Sequence, residues 1–183
     1  MKNLKYYILS LILSLSSSDL LSQSVGVQLD RNQGKIESIY VKKDNIIFKL
    51  DSSNSNIENI YVFSYDSLSE RFFYDPIYDF RPRRKLQLHN GVNLYIDSYS
   101  SIDYAKNYRD NVFSGIVGSV VKIDDIEVEY NKRIGDNRII GIVGKIKSID
   151  DIPIKYHKNY SENQRGGYMG KIESIDEMNF KFH

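Results

Sequence analysis

Between residues 115 and 182 the chain spells one unit three times. GIVGSVVKIDDIEVEY, GIVGKIKSIDDIPIKY and GYMGKIESIDEMNFKF begin at Gly115, Gly141 and Gly167, each 26 residues after the last. A fixed period of this size means one supersecondary unit stacked on its neighbours, because a single unit cannot bury its own apolar face. The register holds position by position: Tyr104, Tyr130, Tyr156 and Phe182 keep it, as do Gly118, Gly144 and Gly170, Ile123, Ile149 and Ile175, and Asn111, Asn137 and Asn163. A degraded first copy therefore starts near Val92. A further echo, GKIESI at 34–39, recurs letter for letter at 170–175.

Inside a unit Ile126, Val128 and Tyr130 alternate with Glu127 and Glu129, and Ile152, Ile154 and Tyr156 with Pro153 and Lys155. Period two means a strand with one buried and one wet face. The pairs Asp124–Asp125, Asp150–Asp151 and Asp176–Glu177 stand where a two-residue hairpin turn belongs, and Asp tolerates the left-handed backbone such a turn needs. In the preceding strand the apolar residues Val120 and Ile123, or Ile146 and Ile149, are three apart. Strict alternation would put them on opposite faces, so either both faces are covered or a bulge corrects the register; hairpin units require the bulge, near Lys122 or Ser148. Pro153 lacks an amide donor and must turn that position to an edge or away from its ladder.

Two architectures meet these conditions: an antiparallel β-meander of hairpin repeats, with Ile123 across from Ile126, or a parallel β-solenoid, with Tyr130 stacked on Tyr156 and the asparagines in a ladder. The Asp-Asp turns between short strands favour the meander. Fifteen tyrosines, eight phenylalanines and no tryptophan agree with an all-β chain, and only 101–110 suggests a turn of helix. The N-terminal half reads as further hairpins, with strands at 25–30, 35–41, 46–50 and 57–66 and turns at 31–34 and 42–45. The chain divides into 1–24, an N-terminal hairpin region 25–91 and a repeat region 92–183, the last two continuous as one domain.

Residues 1–24 have the order of a secretory signal peptide: Lys2 and Lys5, an apolar run at 6–15, then a serine-rich tail. The run is too short to span a bilayer, which takes about 20 residues, and cleavage is expected after Ser22 or Ser24. Without the leader no transmembrane helix is expected. Localisation is then periplasmic or extracellular. The chain has no cysteine, so a core alone must hold the exported protein. Losing Lys2, Lys5 and Asp19 takes 25 basic and 24 acidic side chains to 23 of each, a balance that argues against nucleic acid as partner.

Few residues suggest chemistry. The Asp pairs supply two oxygens per turn where calcium takes six to eight, and adjacent carboxylates on a tight turn do not face each other across a substrate as a glycosidase pair does. His89, His157 and His183 have no partner at metal-ligand spacing, and the GIVG glycines are followed by no phosphate-loop signature. No metal and no cofactor are expected. Arg81, Arg83, Arg84 and Lys85 form the one basic cluster, a weak candidate for contact with an anion or an acidic polysaccharide. The tyrosines could stack on sugars or peptides, but Tyr104, Tyr130 and Tyr156 fall on the apolar face of their strands, which points to the core.

The units GKIKSIDDIPIKYH and GKIESIDEMNFKFH resemble those of uncharacterised exported bacterial proteins with G-K-[IV]-x-S-I repeats, and more distantly the tyrosine-rich YD repeats of secreted shell-forming proteins. The resemblance covers 92–183 and 34–39 and brings no catalytic residue with it. The expectation is a non-enzymatic exported β-repeat protein, a structural or binding module whose partner is an envelope protein or polysaccharide. The alternatives are a small secreted hydrolase, which needs His89 or His157 beside a carboxylate, and an outer-membrane β-barrel ending on the aromatic strand 178–183.

Overall fold

The computed structural model describes residues 23–29, 35–52, 56–63, 82–88, 91–97 and 99–180. The expected leader lies outside them except for Gln23 and Ser24, as do His89, Arg81, Phe182, His183 and the turn at 31–34. Among the described residues no helix is long and apolar enough to cross a membrane.

The repeats form an antiparallel meander. Strands β7 (Ile102–Tyr104), β8 (Val120–Ile123), β9 (Ile126–Tyr130), β10 (Ile146–Ile149), β11 (Ile152–Tyr156), β12 (Ile172–Ile175) and β13 (Met178–Asn179) lie side by side in sequence order in one seven-stranded sheet. Ile123 pairs with Ile126, Ile149 with Ile152 and Ile175 with Met178 across two-residue turns. The first turn residue is left-handed each time: Asp124, Asp150 and Asp176 have φ of 52°, 52° and 51°. Tyr130 lies opposite Ile146 and Tyr156 opposite Ile172, so no parallel stack of tyrosines exists and the solenoid is excluded. The sheet is open, ending on β7 and β13 among the described residues, and does not close as a barrel.

The bulges fall one residue before the expected positions. Between β9 and β10 the register steps from Tyr130↔Ile146 to Glu129↔Ser148, leaving Lys147 as the extra residue. The same step leaves out Val121 in β8 and Glu173 in β12. The extra residue returns Val120 and Ile123, and likewise Ile146 and Ile149, to one face, and all four are buried. Pro153 lies opposite Ser148. Because Ile149 and Ile152 close the turn, that pair directs its polar groups away from each other, and the Pro153 carbonyl accepts the Asp176 amide at 2.9 Å.

The second sheet is six-stranded: β1 (Gln23–Leu29), β2 (Ile36–Lys43), β3 (Ile46–Asp51), β4 (Ile57–Val62), β5 (Arg84–Gln87) and β6 (Asn93–Ile96), in the order β1-β2-β3-β4-β6-β5. It repeats the local device. The extra residue against β1 is Glu37 of Ile36–Ile39, and against β3 it is Glu58 of the IENI at 57–60. The I-E-S-I spelling thus carries a bulge at its glutamate in both halves of the chain. The expected turn at 42–45 narrows to Asp44 and Asn45, with Asp44 at φ 49°.

The expected N-terminal hairpins are present, β1 to β4 pairing antiparallel in sequence order and β5 with β6. What the hairpin pattern did not include is the parallel pairing of β4 with β6, which leaves β5 at the sheet edge. The degraded first copy is also divided, β6 joining one sheet and β7 the other. An intact unit keeps both strands together through its Asp pair, whereas the matching positions of the first copy hold Ser98 and Tyr99. The boundary drawn at 91/92 therefore separates β6 from the sheet it belongs to. The helical turn expected at 101–110 lies later, as α1 (Arg109–Phe113), after strand β7.

The inward faces of both sheets share one core, in which Ile39, Phe48, Leu50, Ile60 and Leu94 are clustered with Ile123, Ile146, Ile149, Ile152 and Ile172. Lys43 Nζ ties the sheets at one end, reaching Asp151 at 2.7 Å and Asp150 at 3.2 Å. Tyr156 is buried and its hydroxyl donates to the Ile146 carbonyl at 2.7 Å. Tyr130 donates to Val120 at 2.8 Å, the same step of ten residues back. Burial pushes both phenols well above the usual tyrosine range. Tyr104 departs from the expected core role, being 39% exposed, because its strand is the sheet edge and no earlier unit covers it.

Candidate functional site

Each unit returns to its starting end after two strands, so all three connecting segments emerge at one end of the strands, the loop edge, and all three Asp turns at the other end. The connections share one construction. A helical turn precedes each hairpin: α1, the 3₁₀ turn Gly135–Arg138, and α2 (Ser161–Arg165). Asn111, Asn137 and Asn163 donate side-chain amides to the carbonyls of Lys106, Lys132 and Lys158 at 2.8–2.9 Å. The asparagines thus staple their own loops rather than forming a ladder.

The glycines seat one loop against the next. Gly144 has φ 82°, and a Cβ there would lie 2.8 Å from the Ser114 carbonyl of the preceding loop. Ser114 Oγ also accepts the Arg133 amide at 3.2 Å. Lys145 Nζ donates to the Gly170 carbonyl at 2.9 Å, joining the second loop to the third. Burial lowers the Lys145 pKa, with Asp51 acting in the opposite direction.

The outer surface of this edge is apolar at repeating positions. Tyr108, Ile134 and Tyr160, 26 residues apart, occupy the N-cap of each helical turn and are 63%, 70% and 63% exposed. None caps its helix with a side-chain hydrogen bond. An N-cap normally carries Ser, Thr, Asp or Asn, worth about 1 kcal/mol over an apolar residue. Phe113 and Ile139 repeat the pattern one turn later and are also exposed. Between the first and second loops lies a shallow cleft of about 250 Å³ lined by Phe113, Arg133, Arg138, Gly141 and Val143. Arg109 lies over the Phe113 ring at 5.5 Å.

Charge divides between the two edges. Segments 106–118, 132–144 and 158–170 hold seven basic residues, Lys106, Arg109, Lys132, Arg133, Arg138, Lys158 and Arg165, against Asp110, Asp136 and Glu162. All seven are exposed. The opposite edge carries the six exposed carboxylates of the turns, two of them held by Lys43. A nearly neutral chain is thereby polarised along its strands.

Of the basic cluster singled out in the sequence, Arg81 lies outside the described residues, and Arg84 is turned away from Lys85. Arg84 and Lys85 sit in edge strand β5, where successive side chains take opposite faces. Lys85 lies 5.1 Å from the Tyr95 ring centre, and Arg83 Nε is 3.7 Å from Asp97. His157 packs against Tyr168 at 6.1 Å. Among the described residues no group of three or more His, Asp or Glu could hold a metal ion. Tyr108, Ile134 and Tyr160 were legible in the sequence by the same 26-residue comparison that aligned Tyr104, Tyr130 and Tyr156. What marks them is an apolar residue, flanked by cations, where a helix cap belongs. Comparison with known proteins finds no counterpart: no family model matches the chain, and neither a curated protein nor a solved structure matches it.

Proposed function

We propose that this chain acts by binding, as an exported β-repeat module at the cell envelope, and that the loop edge of its seven-stranded sheet is the contact surface. The observation that carries the reading is the threefold recurrence of a large exposed apolar side chain at Tyr108, Ile134 and Tyr160. Helix stability and solubility both favour a polar residue there, and repeated apolar exposure at the surface of a protein marks an interaction site. The leader-like residues 1–24 support export, and the rigid sheet supports the loops as a fixed row.

The test has two parts. Protein made in a secreting host should have an intact mass corresponding to a chain beginning near Gln23 or Val25, and the wild type should be retained in the envelope fraction. Replacing Tyr108, Ile134 and Tyr160 together by Ser should release it. A full-length product confined to the cytoplasm, or a triple variant retained as well as the wild type, sinks the proposal.

A further inference from the structure

The loop edge combines three features that together select one kind of partner, and we infer that it docks on an anionic lipid surface. The inference rests on the loop edge being the contact surface. The first feature is shape. The cleft of about 250 Å³ is smaller than the roughly 300–1,000 Å³ of pockets that enclose a small ligand, while Tyr108, Ile134 and Tyr160 stand exposed on all three loops, with Phe113 and Ile139 also exposed on the first two. Exposed apolar side chains outside an enclosing pocket suit a soft surface that they can enter. Consecutive loops are two strands apart, about 10 Å, so the three loops span about 20 Å of that surface.

The second feature is residue type. Each loop has cations beside its apolar residue: Lys106 and Arg109 around Tyr108, Lys132 and Arg133 around Ile134, Lys158 before Tyr160. Apolar side chains on one face with Lys and Arg beside them is the pattern of segments that lie in the headgroup region, where aromatic rings with a polar tip are favoured. The third is orientation. The loop edge has four more basic than acidic residues, and the far edge carries the turn carboxylates. A negative surface attracts the first and repels the second, which points the loops toward the lipid. A neutral protein surface would leave both charge and orientation without a role.

Flotation of the full chain with vesicles tests this, using phosphatidylcholine alone and phosphatidylcholine mixed equally with phosphatidylglycerol. The leader is common to every variant, so differences between variants report on the loops. Wild type should partition to the anionic vesicles at least about a hundredfold better than to the neutral ones, and less as salt rises. Replacing Lys132, Arg133 and Arg138 by Gln should cut anionic partition about a hundredfold, since each basic residue near such a surface is worth about fivefold. The Tyr108→Ser, Ile134→Ser, Tyr160→Ser variant should lose partition at all salt concentrations. Asp125→Asn on the far edge should not lower it. Circular dichroism should be unchanged, because every replaced residue is exposed; if a triple variant unfolds, the three single substitutions at 108, 134 and 160 should each lower partition in a folded chain. Equal partition to both vesicle types, or loop variants that float like the wild type, overturns the inference. If vesicle binding is absent yet the triple variant is still released from the envelope fraction, the surface takes a protein or polysaccharide and only the lipid assignment fails. If neither measurement responds to the loop substitutions, both readings fail.

Discussion

Replacing Tyr156 by Ala should be among the most damaging single changes in the repeat region. The side chain is only 5% exposed, lies in the core shared by the two sheets, and donates to the Ile146 carbonyl at 2.7 Å. A buried tyrosine removes about 150–250 Å² from water, which at about 25 cal/mol/Å² gives an upper figure of about 4–6 kcal/mol. The methyl group of alanine retains part of that, so about 3–5 kcal/mol is expected, as for other aromatic truncations in cores. Tyr156→Phe separates the ring from the hydroxyl. It keeps the packing, leaves the carbonyl beside the bulge without this donor, and should cost about 1–2 kcal/mol. Tyr104→Ala, at the same repeat position but in edge strand β7, should cost about 1 kcal/mol or less. Urea unfolding followed by circular dichroism gives each value from the shift in midpoint at constant slope. A Tyr104→Ala cost equal to that of Tyr156→Ala would refute the argument, because it would mean that repeat position rather than burial sets the energy.

Three other expectations follow from the turns and ion pairs. Asp176 holds φ 51°, so Asp176→Ala should lower stability by about 1 kcal/mol while Asp176→Gly leaves it nearly unchanged, measured by thermal unfolding. Lys43 has its pKa raised above 10.5, first by its hydrogen bond to Asp151; its contribution is complete below the unfolded-state pKa and lost as pH rises through the folded-state value, so Lys43→Met should flatten the alkaline end of a stability–pH curve. A variant as alkali-sensitive as the wild type would show that the bridge between the sheets contributes nothing. Unfolding midpoints in chelator and in excess calcium should coincide, since the Asp turns bring too few oxygens together for a site; a large rise with calcium would show a ligand that binds the folded state alone.

The elements that proved legible in the sequence are those whose causes lie within about ten residues. The left-handed Asp124, Asp150 and Asp176, the pairing of Ile123 with Ile126, and the bulge implied by apolar residues three apart all depend on local backbone sterics and on alternation of faces. The same holds for I-E-S-I, which bulges at Glu37 and Glu173 alike. The meander followed, because a two-residue turn forces antiparallel neighbours. What tertiary structure alone decided involves partners far apart in the chain. The parallel pairing of β4 with β6 joins Asn59 to Asn93, and Lys43 meets Asp150 and Asp151 across more than a hundred residues, with no local signal for either. Tyr104 looks in sequence like Tyr156, yet one is half exposed and the other buried, since burial depends on whether a neighbouring strand exists. The loop edge belongs to both accounts: its residues and their 26-residue spacing are written in the chain, but only the stacking of hairpins brings three distant segments to one side of a sheet, where apolar side chains and cations can act together.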